Sequence, residues 1–292
     1  MASSEKSVNV QKGKRSSAQY VESATETLAQ GSADADTEAA PGGRVKEGMA
    51  GLAKGLAIIE AFSATTTRMT VSDAAHLTDL SRPAARRCLL TLVDLGYLTH
   101  DGKFFTPLPR MLRLGGAYLS TSSLPQIAQP LLASARDTLN ESISLAVLDE
   151  GYSVFIARAE AVRILTTGVK IGGRLPAYCS ATGRVLLSGL PEETVRAHLE
   201  SVPMKRLTDR TLANVTAVLK AVRRAAEEGY AISNEELEIG MSAMAVPVKN
   251  RSGEIEAAIS VSVFSGRVSV ATLEEKFLPV LRASAERLQR SL

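Results

Sequence analysis

The sequence predicts an α+β fold in which an N-terminal winged helix-turn-helix precedes a mixed domain of helices and antiparallel strands. Three observations predict it. Helical patterns of apolar residues recur three times between residues 50 and 95, and an Asp-Gly pair at residues 101–102 follows them between short apolar runs. From residue 124 onwards, hairpin signals are interleaved with further helical patterns. The length of 292 residues is typical of two domains rather than one.

Composition indicates a globular protein of the cytoplasm. With 45% hydrophobic and 22% charged residues, the chain has enough apolar side chains for real cores, yet it contains no apolar run long enough to cross a bilayer. The first residues, MASSEKSVNVQKGKRS, lack the apolar segment of a secretory signal. Cys88 and Cys179 are far apart and form no CxxC pair, which favours single reduced thiols. We therefore expect a cytoplasmic protein without membrane contact.

The chain divides into four segments. Residues 1–46 are rich in Ser, Ala, Glu, Thr and Gly, carry six basic and six acidic side chains, and are predicted to be a disordered tail. Residues 47–109 are predicted to form the winged helix-turn-helix, residues 110–123 a linker helix, and residues 124–292 the second domain.

The three N-terminal helices are predicted from spacing and capping residues. Thr70 and Ser72 are candidate caps of the second helix, and Ser81 is the candidate cap of the third, with Pro83 in its first turn. The first helix carries Leu52, Leu56, Ile59 and Phe62 at helical spacing, and the third carries an inward stripe of Cys88, Leu89, Leu92 and Leu95. A two-residue turn at Asp101-Gly102 then predicts the hairpin of the wing.

A local basic face lies on the third helix, although the net charge of only +3 gives no strong case for nucleic acid. Arg82, Arg86 and Arg87 lie in a stretch, Ser81 to Val93, that has no acidic residue. Arg82 and Arg86 share a helix face suited to base edges, and Arg87 is better placed for a phosphate. An ordinary solvated arginine face is the alternative. The candidate DNA contacts are Lys54, Thr70, Ser81, Arg82, Arg86, Arg87 and Lys103.

The second domain contains a candidate anion site. Gly172 to Ala177 leads into a helix capped near Ser180, whose free N–H groups and positive dipole end suit a carboxylate. Arg174 is positioned to add a bidentate contact, the alternative being a surface arginine. Helices are predicted at residues 126–139, 182–188, 192–200, 215–229 and 273–292, and strands at 143–148, 152–157, 244–249 and 254–264.

Catalysis and metal binding find little support in the sequence. Cys179 precedes a helix N-terminus, as many nucleophiles do, but the three histidines belong to no catalytic motif, and nucleotide-binding motifs are missing. We therefore expect no enzyme and no cofactor. The acidic run of Glu235, Glu236 and Glu238 is predicted to be a solvated loop or helix end, with zinc ligation a minor alternative because no histidine accompanies it.

Three stretches resemble the IclR-type bacterial transcription regulators. They are LSRPAARRCLLTLVDLGYL at Leu80 to Leu98, GGRLPAYCSATGRVLL at Gly172 to Leu187, and the pair NEELEIGMSAMAVPV and AAISVSV. The first also resembles the PcaR, PcaU and PobR subgroup, which regulates protocatechuate or 4-hydroxybenzoate breakdown in the β-ketoadipate pathway. The resemblance implies a GAF-like effector domain, dimers or tetramers, and frequent activation by the bound metabolite. It also implies a pocket lined by Asn234, Glu235, Met241, Ser260 and Ser262.

The resulting hypothesis is a DNA-binding transcription regulator of an aromatic-acid catabolic operon, controlled by a small carboxylate of the protocatechuate, 4-hydroxybenzoate or β-ketoadipate type. Its expected partners are double-stranded operator DNA, a second or further copies of itself as a homodimer or homotetramer, and RNA polymerase if it activates. The alternative is a C-terminal domain that serves oligomer assembly without a ligand. The candidate effector contacts are Arg174, Leu175, Pro176, Ala177, Asn234, Glu235, Met241, Ser260 and Ser262.

A chain that starts at Lys46 should bind DNA as the full chain does, because the composition of residues 1–46 supplies neither a core nor a net positive charge. Fluorescence anisotropy with one duplex measures both affinities. A loss of more than about tenfold, or 1.4 kcal/mol, would identify the tail as a DNA-contacting arm instead.

Overall fold

The N-terminal domain is a winged helix-turn-helix, as predicted. The computed structural model describes residues 49–63, 65–162 and 169–292, so the predicted tail at residues 1–46 lies outside the described residues. The elements of this domain are α1 (Ala50–Glu60), α2 (Val71–Leu77), α3 (Arg82–Asp94), β1 (Leu98–His100) and β2 (Phe105–Pro107). Ile58, Met69, Leu89, Leu98 and Phe105 form one buried cluster, which joins the helices and the wing in a single core.

Local sequence explains where α2 and α3 begin and end. The Thr70 hydroxyl accepts from the Asp73 N–H, and the Asp73 carboxylate accepts from the Thr70 N–H, which is a capping box. Ser81 occupies the N-cap position of α3, but its side chain makes no capping hydrogen bond. The prediction that Leu95 belongs to the inward stripe is wrong, because α3 ends at Asp94 and Leu95 is half exposed.

The wing differs from the predicted two-residue turn. Its loop spans residues 101–104, because His100 pairs with Phe105 and the Asp101 carboxylate accepts from the N–H groups of Lys103 and Phe104, at 2.9 and 2.7 Å. An aspartate side chain that holds two turn amides stabilises a longer loop. Met69 and Phe105 exchange two backbone hydrogen bonds, so the chain before α2 lies against the wing as a third extended segment.

The second domain begins after a linker in which a short 3₁₀ turn (Pro109–Met111) leads into α4. The linker helix α4 spans Leu112–Thr121. The elements of the second domain are α5 (Ser123–Leu139), β3 (Ile143–Asp149), β4 (Tyr152–Ala159), β5 (Arg174–Pro176), α6 (Ala181–Leu187), α7 (Glu192–Ser201), α8 (Val215–Glu228), β6 (Ala231–Asn234), β7 (Met241–Lys249), β8 (Ile255–Phe264) and α9 (Leu278–Gln289). The predicted final helix is present and begins earlier, at Val270; it contains a π-helical turn at Leu273–Phe277 before α9. Strands β5 and β6 were not predicted, since three or four residues give too short a pattern.

One antiparallel sheet, in the order β5-β4-β3-β8-β7-β6, organises this domain and confirms the predicted antiparallel α+β class. One face packs on α5 and α9 through large apolar side chains such as Leu132, Leu281 and Ile259. The other face packs on α6 through small ones, including Ala245 and Ala258. Among the described residues, none of the helices has the length and apolarity needed to cross a membrane.

Gly183 sits where α6 approaches the backbone of Ala177. A Cβ atom there would lie 2.2 Å from the Ala177 Cα and 2.4 Å from its carbonyl oxygen, whereas a Cβ at Gly115 in α4 meets nothing within 4 Å. Gly183→Ala should therefore lower the free energy of unfolding by about 2 kcal/mol, since backbone cannot move aside cheaply. Gly115→Ala should raise it by about 0.5–1 kcal/mol through helix propensity. Urea unfolding followed by circular dichroism compares the two; stabilisation by both would contradict the packing.

Candidate functional site

The predicted basic face of α3 is a solvent-exposed surface. Arg82, Arg86 and Arg87 are all exposed, whereas Ala85 and Leu89 on the opposite side are buried in the domain core. In the described part of the chain, no carboxylate forms a salt bridge with these three guanidinium groups. Three charged fork-shaped donors therefore point away from the core on one short helix, which is the chemistry needed for guanine edges and phosphates.

The other predicted DNA contacts differ in whether their side chains are exposed or already hydrogen-bonded within the protein. Lys54 is exposed on α1. Ser81 is exposed at the start of α3, and its hydroxyl makes no capping hydrogen bond. Lys103 is exposed on the wing, with its Nζ 5.0 Å from the centroid of the Phe104 ring. Thr70 differs, because its hydroxyl donates to the Asp73 carboxylate at 2.9 Å and thereby serves the start of α2.

Arg68 was missed by sequence reasoning. Its guanidinium carbon lies 4.3 Å from the centroid of the Phe104 ring, on the same side of the domain as the wing loop. The signal was weak, since the segment before α2 carries no strand pattern, and only the pairing of Met69 with Phe105 brings residue 68 beside the wing.

The predicted anion point at the N-terminus of α6 is closed. The Gly183 N–H donates to the Ser180 hydroxyl oxygen at 3.1 Å, and the Ser180 hydroxyl donates to the Pro176 carbonyl at 2.9 Å. The backbone of Ala177 fills the space beside Gly183, and Ala177 itself is fully buried. The Gly183 N–H is therefore already paired within the turn and does not serve the predicted anion point.

Arg174 lies apart from the other predicted effector contacts. It is on the edge strand β5, with its guanidinium 4.5 Å from the Tyr152 ring and 3.6 Å from the carboxylates of Asp149 and Glu150. The next residues on β5 pair with β4, so that Leu175 lies half-buried and Pro176 buried at the sheet edge. Two acidic neighbours and a stacked ring account for the charge of Arg174 at the surface.

The β6–β7 connection is more buried than the predicted solvated acidic loop. Glu235 forms an ion pair with Arg210 at 3.0 Å and accepts from the Ser265 hydroxyl, and that hydrogen bond is the main cause that lowers the pKa of its carboxyl. Glu236 is buried and forms a bidentate ion pair with Arg184, at 2.6 and 2.5 Å. The prediction of a solvated run is therefore wrong, because each of these two carboxylates has a specific cation.

Two residues of the predicted pocket lie on opposite faces of the sheet. Asn234 accepts from the Ser242 hydroxyl at 2.8 Å and pairs with it across β6 and β7. Met241 is half-buried one position earlier, and successive strand residues point to opposite faces. Asn234 therefore belongs to the α5 and α9 side, whereas Met241 belongs to the α6 side.

A polar row crosses the α6 side of the sheet. Ser260 on β8 pairs with Ser144 on β3, and Ser144 pairs with Arg158 on β4, so three polar residues from three strands are direct neighbours. All three are buried, and they alternate with apolar residues that face α5 and α9. Ser262, two residues along β8, lies on the same side and is half-buried. Of the predicted pocket residues, this row brings Ser260 and Ser262 together; Arg158 and Ser144 were missed.

Arg158 places a buried guanidinium in the row. Its Nη1 donates to the Ser144 hydroxyl at 2.9 Å and its Nε to Glu160 at 3.2 Å. The Arg158 side chain is only 5% exposed, whereas that of Glu160 is 61% exposed, so the cation is buried and its acidic neighbour is in solvent. A buried guanidinium favours an anion beside it.

The described residues offer neither a reactive thiol at Cys179 nor a metal site. Cys179 is fully buried, and burial raises the pKa of its thiol to about 12, so the thiolate that attacks substrates or metals is not formed at neutral pH. Within residues 49–63, 65–162 and 169–292, no group of three His, Cys, Asp or Glu side chains is arranged to hold a metal ion.

Comparison with known families gives two matches that together span most of the described chain. Residues 51–102 match the family model described as the IclR helix-turn-helix domain. Residues 116–290 match the one described as bacterial transcriptional regulator IclR C-terminal.

Characterised relatives and solved structures agree with these matches. The chain is 39% identical over 245 residues to the Pca regulon regulatory protein of Pseudomonas putida, covering 84% of both chains. It is 38% identical over 251 residues to the p-hydroxybenzoate hydroxylase transcriptional activator of Acinetobacter baylyi, covering 84% of this chain and 93% of that protein.

A crystal structure described as a transcriptional regulator from Rhodococcus sp. RHA1 is 41% identical, with a TM-score of 0.73 over 84% of this chain and 98% of that one. A double mutant of the PobR inducer-binding domain from Acinetobacter, in complex with 3-hydroxybenzoic acid, is 33% identical with a TM-score of 0.56. It matches 59% of this chain and all of that one.

Arg86→Ala should cost about 1–3 kcal/mol of specific binding and relax the preference at one base position in each half-site. Arg87→Ala should instead weaken binding to all sequences alike and make the logarithmic salt slope shallower by about one unit per half-site, as loss of a phosphate contact does. Anisotropy titrations at several salt concentrations, with a duplex that the protein selects from a random-sequence library, separate the two.

Arg251→Ala is the matched control for these titrations, because Arg251 is exposed on the turn between β7 and β8, far along the chain from α3. Control and both variants with wild-type affinity would show that α3 does not read DNA.

Proposed function

The chain belongs to the IclR family of bacterial transcriptional regulators, and from this premise we propose that it controls an aromatic-acid catabolic operon in response to a small carboxylate. It binds DNA through its helix-turn-helix domain and is a regulator rather than an enzyme. The single observation that supports the carboxylate is the buried Arg158 guanidinium, in register with Ser144 and Ser260 on the α6 side of the sheet.

The polar row fits an aromatic acid better than it fits an apolar ligand. A carboxylate placed against Arg158 receives charge-assisted hydrogen bonds from a guanidinium that already lies out of water. Hydroxyl groups of Ser144, Ser260 and Ser262 donate to or accept from a ring hydroxyl, whereas Met241 and Ala243 supply apolar contact on the same side.

The relatives support this class of effector. One is named for the Pca regulon, another for activation of p-hydroxybenzoate hydroxylase, and the inducer-binding domain among the solved structures holds 3-hydroxybenzoic acid. We infer for this chain an effector of the same chemistry, a protocatechuate, 4-hydroxybenzoate or β-ketoadipate type of acid. All three have a carboxylate for Arg158 and a ring or carbon chain for the smaller side chains.

The same proposal assigns roles on the DNA side. Arg82 and Arg86 contact base edges from α3, and Arg87, Lys54 and Lys103 contact phosphates. Ser81 and Thr70, at the starts of α3 and α2, supply hydroxyl groups near the backbone of the duplex. A regulator that binds chromosomal DNA acts in the cytoplasm, and one that activates also contacts RNA polymerase.

We further propose that the protein works as a homodimer or homotetramer. Met49, at the N-cap of α1, and Leu52 and Leu56 on it recur at helical spacing and are 77%, 62% and 43% exposed, which is unusual for large apolar side chains on a single helix face. A second copy that covers this face would bring two recognition helices together on two half-sites. Light scattering on the protein as it elutes from a size-exclusion column gives its molar mass and therefore the number of copies.

The second candidate function is oligomer assembly by the C-terminal domain without any ligand. The N-terminus of α6 favours it, because the Gly183 N–H is paired with the Ser180 hydroxyl and is not available to an anion. The buried Arg158 guanidinium, in register with Ser144 and Ser260, supports the ligand-binding proposal instead.

Thermal melting with a panel of aromatic acids and their amides tests the proposal. An acid at 100 times its Kd stabilises the folded chain by about 2.7 kcal/mol, which shifts the melting temperature by about 5–10 °C for a domain of this size. Arg158→Gln should remove most of that shift and leave DNA binding without effector intact. Arg174→Ala, the matched surface control, should keep it, since Arg174 lies at the sheet edge.

The outcomes separate the readings. Equal shifts by amides and acids would exclude a carboxylate site, and a shift lost in Arg174→Ala but kept in Arg158→Gln would return the site to the Gly172–Ala177 segment. If no acid in the panel shifted the melting temperature, assembly without a ligand would be favoured.

A further inference from the structure

We propose that the outer edge of strand β6 (Ala231–Asn234) binds an extended segment of a partner protein, which adds a strand to the sheet and places a lysine or arginine against Glu274. Strand β6 ends the six-stranded sheet, whereas Arg158 lies on β4, with β3, β8 and β7 between them. The docking site is therefore separate from the proposed effector site and does not depend on it.

The backbone of β6 leaves donors unpaired on its outer edge. The Glu235 N–H donates to the Met241 carbonyl at 2.8 Å, and the backbone groups of successive strand residues point to opposite edges. Those of Ile232 and Asn234 therefore point away from β7, in agreement with the hydrogen bond of 3.4 Å from Arg184 to the Ile232 carbonyl. Within the residues that the structure describes, no acceptor pairs with the N–H of Ile232 or Asn234. An extended chain along β6 provides those acceptors.

A cavity of about 320 Å³ lies along this edge. One wall comes from α8, where Ala221 and Ala225 are small, and the other comes from the helical turns before α9, where Val270 and Glu274 lie. Because side chains of an extended peptide alternate, one set faces α8 and the other set faces Val270 and Glu274. An edge recessed between two walls suits a single inserted chain better than a second copy of the same edge, which is recessed in the same way.

The cavity contains a carboxylate that is available to a cation. Glu274 is half-buried and accepts from the Tyr230 hydroxyl at 2.9 Å, and in the described part of the chain it forms no ion pair. Arg224, in the opposite wall, is paired with Glu228 at 2.8 Å. A lysine or arginine of the inserted chain therefore gains a charge-assisted hydrogen bond from Glu274, while its apolar neighbours pack on the alanines of α8.

Fluorescence anisotropy with the full chain and two labelled pentapeptides tests the inference. One peptide alternates valine with lysine, and the other alternates valine with glutamate. Wild-type protein should bind the lysine peptide at least about tenfold more tightly, and Glu274→Gln should weaken that binding about tenfold, because a charge-assisted hydrogen bond is lost. Glu275→Gln is the matched control and should bind as wild type does, since Glu275 is exposed beside Glu274 and does not line the cavity.

Two further measurements distinguish a lost contact from a disturbed fold. Glu274→Lys should reverse the preference and bind the glutamate peptide more tightly, a gain that a misfolded chain would not show. Lysine peptides N-methylated on every valine, or instead on every lysine, should differ about tenfold in affinity. The reason is that only one alternate set of N–H groups in an added strand faces β6.

Equal affinity of the two methylated peptides would overturn strand addition, and a preference for lysine that survives in Glu274→Gln would overturn the role of that carboxylate. Binding of neither peptide by wild type would also overturn the inference. In that case, Asn234→Pro removes an outward N–H without removing a bond to β7. A lower molar mass of that variant in light scattering would show that a second copy covers the edge instead.

Discussion

The buried ion pair between Arg184 and Glu236 fixes the arrangement of the second domain. Arg184 on α6 donates two hydrogen bonds to the Glu236 carboxylate, and its Nε and Nη1 also donate to the carbonyls of Tyr178 and Ile232, at 3.2 and 3.4 Å. The Leu212 N–H donates to the same carboxylate at 3.3 Å. Removing one partner of such a pair leaves a charge buried without compensation, which costs far more than an exposed pair is worth. Helix α6, the edge strand β6 and the loop before α8 are therefore positioned by one interaction.

Helix α6 packs on the face of the sheet that carries both a group of alanines and the polar row. The helix covers the alanine part of its face, at Ala231, Ala245 and Ala258. The polar row of Arg158, Ser144 and Ser260 continues the same line across β8, β3 and β4, because each residue is in register with the next. One row across five strands thus changes from alanines on β6 and β7 to a buried cation on β4.

Sequence patterns predicted the elements well and the contacts between distant segments poorly. The order of α1, α2, α3 and the wing was correct because spacing, caps and turn residues are local signals. The wing loop was longer than predicted, since a side chain of Asp101 replaced a tight turn, and β5 and β6 were missed because edge strands of three or four residues have no periodicity. For the candidate site, the glycines before α6 led to the prediction that Arg174 binds the effector. The neighbours of Arg158 come from β3 and β8, a register that no local pattern encodes.

The two faces of the central sheet bear on how this domain is able to diversify. Large apolar residues fill the side toward α5 and α9, whereas the side toward α6 combines serines and alanines of the sheet with apolar residues of the helix such as Val185 and Leu186. Because neighbouring strand residues point in opposite directions, exchanging Ser262 for a bulkier residue changes the side toward α6 without adding bulk to the cluster against α5 and α9. Under the proposed function, single substitutions on one side of a strand therefore change the preference for one acid over another while the packing on the opposite side stays constant.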